Sequence, residues 1–150
     1  MDSDVVKLLL ALFLVVLNGF FVAAEFSIVK VRYSQIQIKA AEGNAMAKQA
    51  EHLIKHLDEY LSATQLGITL ASLALGWVGE SAMHHVIENT LHYFSIALAD
   101  STITTISLVI SFLLITIMHI VFGELIPKSI AIRKSEQTAM LIAMPLRVFY

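Results

Sequence analysis

Three long apolar stretches alternate with segments in which polar residues recur. The first covers residues 8–29 and is interrupted only by Asn18, Glu25 and Ser27 among clearly polar groups. The second covers residues 60–78 and contains Ser62, Thr64, Gln65, Thr69 and Ser72. The third covers residues 102–126 and contains several hydroxyls, His119 and Glu124. A bilayer core about 30 Å thick needs roughly 20 helical residues, a length that each stretch reaches. Backbone groups find no water in hydrocarbon, so the spans are expected to be helices. A barrel would require polar and apolar residues in alternation, which these runs lack. The expected fold is all-α and integral to the membrane, with spans at about 5–30, 60–79 and 102–127.

The connections predict smaller helices. Residues 31–57 mix charges with Ile36, Ile38, Met46, Leu53, Ile54 and Leu57, and read as one or two amphipathic helices at the membrane surface, broken near Gly43 and Asn44. Residues 81–98 carry His84, His85, Glu88 and His92 and are too polar to span, so short outer helices are expected there. Residues 135–150 begin with a cap-like Ser135 and turn apolar, with Pro145 and Arg147 arguing against a fourth span. They predict a juxtamembrane helix that stops at Tyr150, as expected of a piece of a longer chain.

Composition agrees with this pattern: 57% of the 150 residues are hydrophobic and 15% charged, against about 25% charged in soluble domains. The net charge of −2 gives no electrostatic match for nucleic acid. Cysteine is absent, which excludes thiolate metal sites and a cysteine nucleophile in these residues. The placement of charge matters more than its amount. Lys30, Arg32, Lys39, Lys48 and Lys55 follow the first span, and Lys128, Arg133, Lys134 and Arg147 follow the third. Residues 79–101 contain no lysine or arginine. The positive-inside rule therefore places the N-terminus and residues 79–101 outside, and the C-terminus in the cytoplasm. Asp2 and Asp4 before a single Lys7, and the length of the first run, argue against a cleaved signal peptide.

Ionisable residues inside a span are costly and point to function. Glu25 and Glu124 are the two within the apolar runs. Glu25 is also placed to snorkel or to pair with Lys30 or Arg32. Ser62, Gln65, Thr69, Ser72 and Gly76, spaced by three and four residues, form one stripe of the second span. Such a stripe faces either a partner helix or a hydrated cavity. Thr104, Ser107 and Ser111 repeat the pattern in the third span, before Thr116, His119 and Gly123. Hydroxyls, an amide and two carboxylates suit hard cations such as Mg²⁺, Ca²⁺ or Na⁺ rather than zinc or copper. His84, His85 and His92 read as surface residues, because adjacent histidines on a helix point apart. Pro127 deprives the preceding turn of a donor, and predicts either freed carbonyls near Gly123 and Glu124 or a helix that ends at the surface with Lys128 as its anchor.

Three segments together resemble a known family. They are residues 18–26 (Asn-Gly-Phe-Phe-Val-Ala-Ala-Glu-Phe), residues 65–80 from Gln65-Leu66-Gly67 to Gly79-Glu80, and residues 122–129 (Phe-Gly-Glu-Leu-Ile-Pro-Lys-Ser). Their order and content are similar to the transmembrane domain of the CorC/CNNM (hemolysin C-related, cyclin M) Mg²⁺ transporters. The resemblance implies a homodimeric three-span domain of the cell membrane that exports Mg²⁺, with Na⁺ as coupling ion. It also implies cytosolic CBS domains, outside these residues, that bind nucleotide such as ATP. Members of the family tend to carry hydroxyls where this chain has Val22, Ala23 and Ala24, and asparagine where it has Ile68. The implied cation ligands are Glu25, Thr69, Ser72 and Glu124, assisted by carbonyls near Gly67 and Gly123. Pro127 and Lys128 mark the helix break and gate, and Gly19, Ala23 and Gly76 are expected at helix contacts, including those of the dimer. The alternative is a non-transporting anchor that dimerises the cytosolic domains. An enzyme is not expected, since no phosphate loop, zinc motif or spaced nucleophile and base is present beyond the weak pair Ser111 and His119.

Overall fold

The computed structural model describes residues 2–94 and 98–150. Helices α1 (Asp2–Lys30), α2 (Tyr33–Ala41), α3 (Ala45–Lys55) and α4 (Leu57–Tyr93) are followed by α5 (Asp100–Met118). A seven-residue π-helical segment (His119–Leu125) then leads into α6 (Ile126–Arg133) and α7 (Ser135–Phe149). No strand occurs among the described residues. Three helical stretches are long and apolar enough to cross a membrane: Ser3–Lys30, Leu57–Tyr93 and the continuous Asp100–Arg133.

The spans are longer than the hydropathy alone predicts. The separate short outer helices expected over residues 81–98 are not found: α4 runs on unbroken through Tyr93, and residues 95–97 lie outside the described residues. Loss of hydrophobicity at residue 80 marks where the helix leaves the hydrocarbon, not where it ends, and no proline follows within it. Its 37 residues extend about 55 Å, well beyond a core of about 30 Å. The protruding end is held by Ala82, fully buried, and by Thr104 Oγ1 donating to Glu88 Oε1 at 3.4 Å. His84 Nε2 lies 3.7 Å from Glu88 Oε2, one turn on in the same helix. Ser135 is the first helical residue of α7 rather than its cap; Lys134 holds the cap position, and no side chain bonds there.

α1 is the central element and packs against α4, the π segment, α6 and α7. Towards its start, Ala11, Leu14 and Val15 meet Leu75 of α4. Towards its end, Phe21, Ala24 and Ile28 join Ile36, Leu53, Tyr60, Ile142 and Leu146 in a second cluster built by the amphipathic helices. Gly43, at φ 93°, supplies the left-handed turn between α2 and α3, and Asn44 Oδ1 caps α3 by accepting from Ala47 N at 3.1 Å. α7 is tied to this layer by the Lys39–Glu136 ion pair and by Arg147 donating to Gln49. Burial, reinforced by the Arg147 and His56 charges, holds the His52 imidazole below its usual value at the same junction. Leu9, Phe13 and Val16 of α1, Leu66, Leu70 and Leu73 of α4, and Phe112, Leu113 and Ile117 of α5 are left exposed, the surface a bilayer requires.

Lipid offers apolar side chains as good a solvent as the protein interior, so contacts between spans depend on small residues and polar groups. Ser107 and Ser111 are fully buried and bond back to carbonyls of their own helix. Gly67 lies against the Phe21 ring, where an added Cβ would stand 2.6 Å from three ring atoms. That ring is wedged edge-on by Phe149, with centroids 4.7 Å apart. Gly67→Ala is therefore expected to destabilise the domain by about 1–3 kcal/mol through overpacking. Gly76 faces open space, and Gly76→Ala should leave the midpoint unchanged or raise it, since alanine is the better helix former. Thermal unfolding in detergent compares the two, and equal midpoints would refute the close contact at Gly67.

Candidate functional site

The polar groups of the three spans converge beside the π segment. In an α-helix the carbonyl of residue 123 would accept from the N–H of residue 127. Residue 127 is proline and has none. Asn18, almost fully buried on α1, supplies the missing donor: its Nδ2 donates to Gly123 O at 2.8 Å. Its Oδ1 accepts from Ser72 Oγ of α4 at 3.1 Å, and Ser72 Oγ lies 3.3 Å from His119 Nε2. Because the single hydroxyl proton goes to Asn18, the His119 contact requires the imidazole to carry a proton on Nε2.

Two glycines permit this approach. A Cβ on Gly19 would stand 2.9 Å from Pro127 Cγ. A Cβ on Gly123 would stand 2.9 Å from His119 Cδ2 and 3.2 Å from Asn18 Nδ2. Gly19 is thus occupied within the chain, which removes it from the residues expected to face a second copy. The helix is not broken at Pro127 as the sequence suggested: it widens into a π turn and continues, and the freed carbonyl is met from α1. π segments of this kind recur at functional sites.

A cavity of about 300 Å³ opens beside the network. Its walls include Asn18, Glu25, Ile68, Ser72, His119 and Glu124. Both intramembrane carboxylates therefore meet in one space. Neither forms a salt bridge among the described residues, and Glu25 Oε1 receives only a long contact from Gln65 Nε2, 3.5 Å. The suggested pairing of Glu25 with Lys30 or Arg32 does not form. Phe26 lines the same cavity, and Lys128 Nζ sits 4.5 Å from its ring centroid, a cation–π contact at the rim.

Of the residues singled out from sequence, Glu25, Ser72 and Glu124 line the cavity, and Gly123 touches it through Asn18. Thr69 does not: it is exposed and bonds to Gln65 O of its own helix. A stripe spaced by threes and fours is wide, and three residues before Ser72 puts Thr69 about 60° away around the axis. Gly67 faces the apolar contact with Phe21, not the cavity. Ala23 is half-buried and does not line the cavity. Asn18 and His119 complete the site. Asn18 was legible only as a polar residue in an apolar run and a member of the first motif. No group of three or more histidine, aspartate or glutamate side chains forms a metal cluster among the described residues. A cation here would be held by two carboxylates, an amide, a hydroxyl and retained water, the donor set of a weakly dehydrated hard ion.

The fold and site define a multi-pass helical membrane domain with a carboxylate-lined polar cavity between its spans. Residues 9–150 match the family model of the cyclin M transmembrane N-terminal domain, and the chain belongs to that family. It is 48% identical over 150 residues to the UPF0053 protein YhdT of Bacillus subtilis (strain 168), covering 99% of this chain and 32% of that protein. Over 149 residues it is 46% identical to the UPF0053 protein YhdP of the same organism, covering 98% and 33%. It is 35% identical over 141 residues to the uncharacterized protein Rv1841c of Mycobacterium tuberculosis (strain ATCC 25618 / H37Rv), covering 94% and 39%. The chain thus spans about a third of the length of these relatives.

Proposed function

We propose that this domain exports a divalent cation, Mg²⁺, from the cytoplasm through the cavity between its spans, driven by Na⁺ entry. The observation that carries the reading is the meeting of Glu25 and Glu124 in one intramembrane space with Asn18 and Ser72. Two carboxylates free of basic partners are expensive in a membrane unless a cation compensates them. The cavity of about 300 Å³ has room for Mg²⁺ with most of six inner-shell waters, at about 30 Å³ of liquid volume each. Membership of the cyclin M family supports the same reading. The basic residues flanking the spans support an outer N-terminus and a cytoplasmic C-terminus in the cell membrane. Glu25 and Glu124 then lie at the cytoplasmic side, where an exported ion enters. The full-length protein is read as a homodimer whose cytosolic CBS domains bind ATP and regulate the membrane domain.

A cation series on the purified domain tests the reading. Mg²⁺ is expected to raise the thermal midpoint at millimolar concentration, with Na⁺ shifting the Mg²⁺ dependence, and the full-length protein in Mg²⁺-loaded vesicles should release Mg²⁺ along an inward Na⁺ gradient. Absence of both effects would overturn export and leave a non-transporting anchor.

A further inference from the structure

Ser72 and His119 line two cavities rather than one. The second, about 200 Å³, adds Gly76 and Glu80 of α4 and Thr116 of α5 to these two residues, among the apolar side chains of Leu75, Phe112 and Ile115. Along α4 the order is Ile68 in the first cavity, Ser72 in both, then Gly76 and Glu80 in the second. Along the third span it reverses: Thr116 in the second, His119 in both, then Glu124 in the first. The cavities are therefore stacked along the helices, and the Ser72–His119 contact of 3.3 Å is their shared wall. Asn18 anchors that wall to α1 through Ser72 and to the π segment through Gly123.

The second cavity ends at the polar end of the apolar run of α4. Glu80 precedes Ser81, whose Oγ accepts from Lys7 Nζ at 3.4 Å, and Lys7 belongs to the polar start of α1. A volume of about 200 Å³ again fits a hydrated divalent ion, since six waters occupy about 180 Å³ of liquid. We propose that this second cavity is the outer half of the cation path, that Glu80 receives the ion there, and that the Ser72–His119 contact is the partition between the halves. The proposal rests on the export reading for its cargo, but not for its geometry. The contacts that Ser72 makes in this wall, to Asn18 and to His119, are side-chain hydrogen bonds. A rotation of His119 about its side-chain torsions opens it without moving a helix. The π segment begins at this histidine, a kind of segment that recurs at functional sites.

These 150 residues contain no cysteine, so in full-length protein cleared of any cysteine outside them a single introduced thiol reports its own cavity. In full-length protein in oriented vesicles, Thr116→Cys should react with a membrane-impermeant thiol reagent added outside and not with reagent added at the cytoplasmic face. Ile68→Cys should show the opposite preference. Adding His119→Ala should let reagent from either face reach both positions. Reaction of Thr116→Cys from the cytoplasmic face, or equal reaction from both faces with His119 intact, would overturn the partition whether or not the protein moves Mg²⁺. Where Mg²⁺ efflux is present, Glu80→Gln should lower it about tenfold, keep the Mg²⁺-induced thermal shift of the inner cavity and be rescued in part by Glu80→Asp. Unchanged efflux in Glu80→Gln would remove Glu80 from the path. Lack of efflux in the unmodified protein with the expected labelling pattern would refute export and keep the two-cavity partition.

Discussion

Glu124→Gln is expected to lower Mg²⁺ efflux from loaded vesicles by about two orders of magnitude while the protein still folds. Glu124 and Glu25 line the same cavity, together with Asn18, Ser72 and His119. For a pair of unit charges at about 4 Å the attraction is about 4 kcal/mol at an effective dielectric near 20, and a divalent ion doubles it. Water retained by the ion offsets much of this. A residual loss of about 3 kcal/mol corresponds to the stated two orders, at about 1.4 kcal/mol per tenfold. Glutamine keeps the volume and the acceptor oxygen, and Glu124 is exposed in the chain, so stability should change little. Glu25→Gln should act in the same direction. Efflux within twofold of the unmodified protein in both variants would remove the cavity as the cation site.

Asn18→Ala is expected to destabilise the domain by about 2 kcal/mol, at the upper end of what one side chain contributes in a membrane. Hydrogen bonds between transmembrane helices average about 0.6 kcal/mol, because the partner left behind usually finds another bond. The α-helical donor to Gly123 O would be the missing N–H of Pro127, and a buried acceptor left unsatisfied costs about 1–3 kcal/mol. Pro127→Ala restores that N–H. Asn18→Ala should therefore cost about 1 kcal/mol less in a Pro127→Ala background than alone, a coupling well above the few tenths seen for independent sites. Denaturation of the four proteins of this cycle in one detergent measures it. Additive effects would show that Asn18 does not replace the proline's donor. Asn18 also carries Ser72, so the same substitution should weaken the Mg²⁺-induced thermal shift.

The apolar runs were long enough to show three helices, and the flanking charges separated the segments that lie between them. Glu25 and Glu124 were visible because a carboxylate in an apolar run is costly, although Glu25 was also placed to snorkel or pair with a nearby base. Ser72 was visible only as one member of a broad stripe. Choosing between Ser72 and Thr69 required the position of α1, because about 60° of rotation decides which hydroxyl meets Asn18. The extent of α4 was not legible, since hydropathy records where a helix leaves lipid and α4 remains a helix beyond that point. The consequence of Pro127 was half legible: the lost donor follows from its chemistry, but a π turn met by an amide 105 residues away in sequence does not.

By itself the sequence determined that the chain is helical, lies in a membrane and carries two carboxylates there, because lipid imposes those outcomes on single segments through hydrogen bonding and desolvation. The tertiary structure decided that the carboxylates share a cavity, that Asn18 bonds the π segment at Gly123, and that Ser72 and His119 each line two cavities. These depend on which faces of α1, α4 and the third span meet. Small residues set those faces: Gly19 against Pro127, Gly67 against Phe21, and Gly123 against His119 and Asn18. A glycine states in sequence that something can come close, and only the folded chain shows what does.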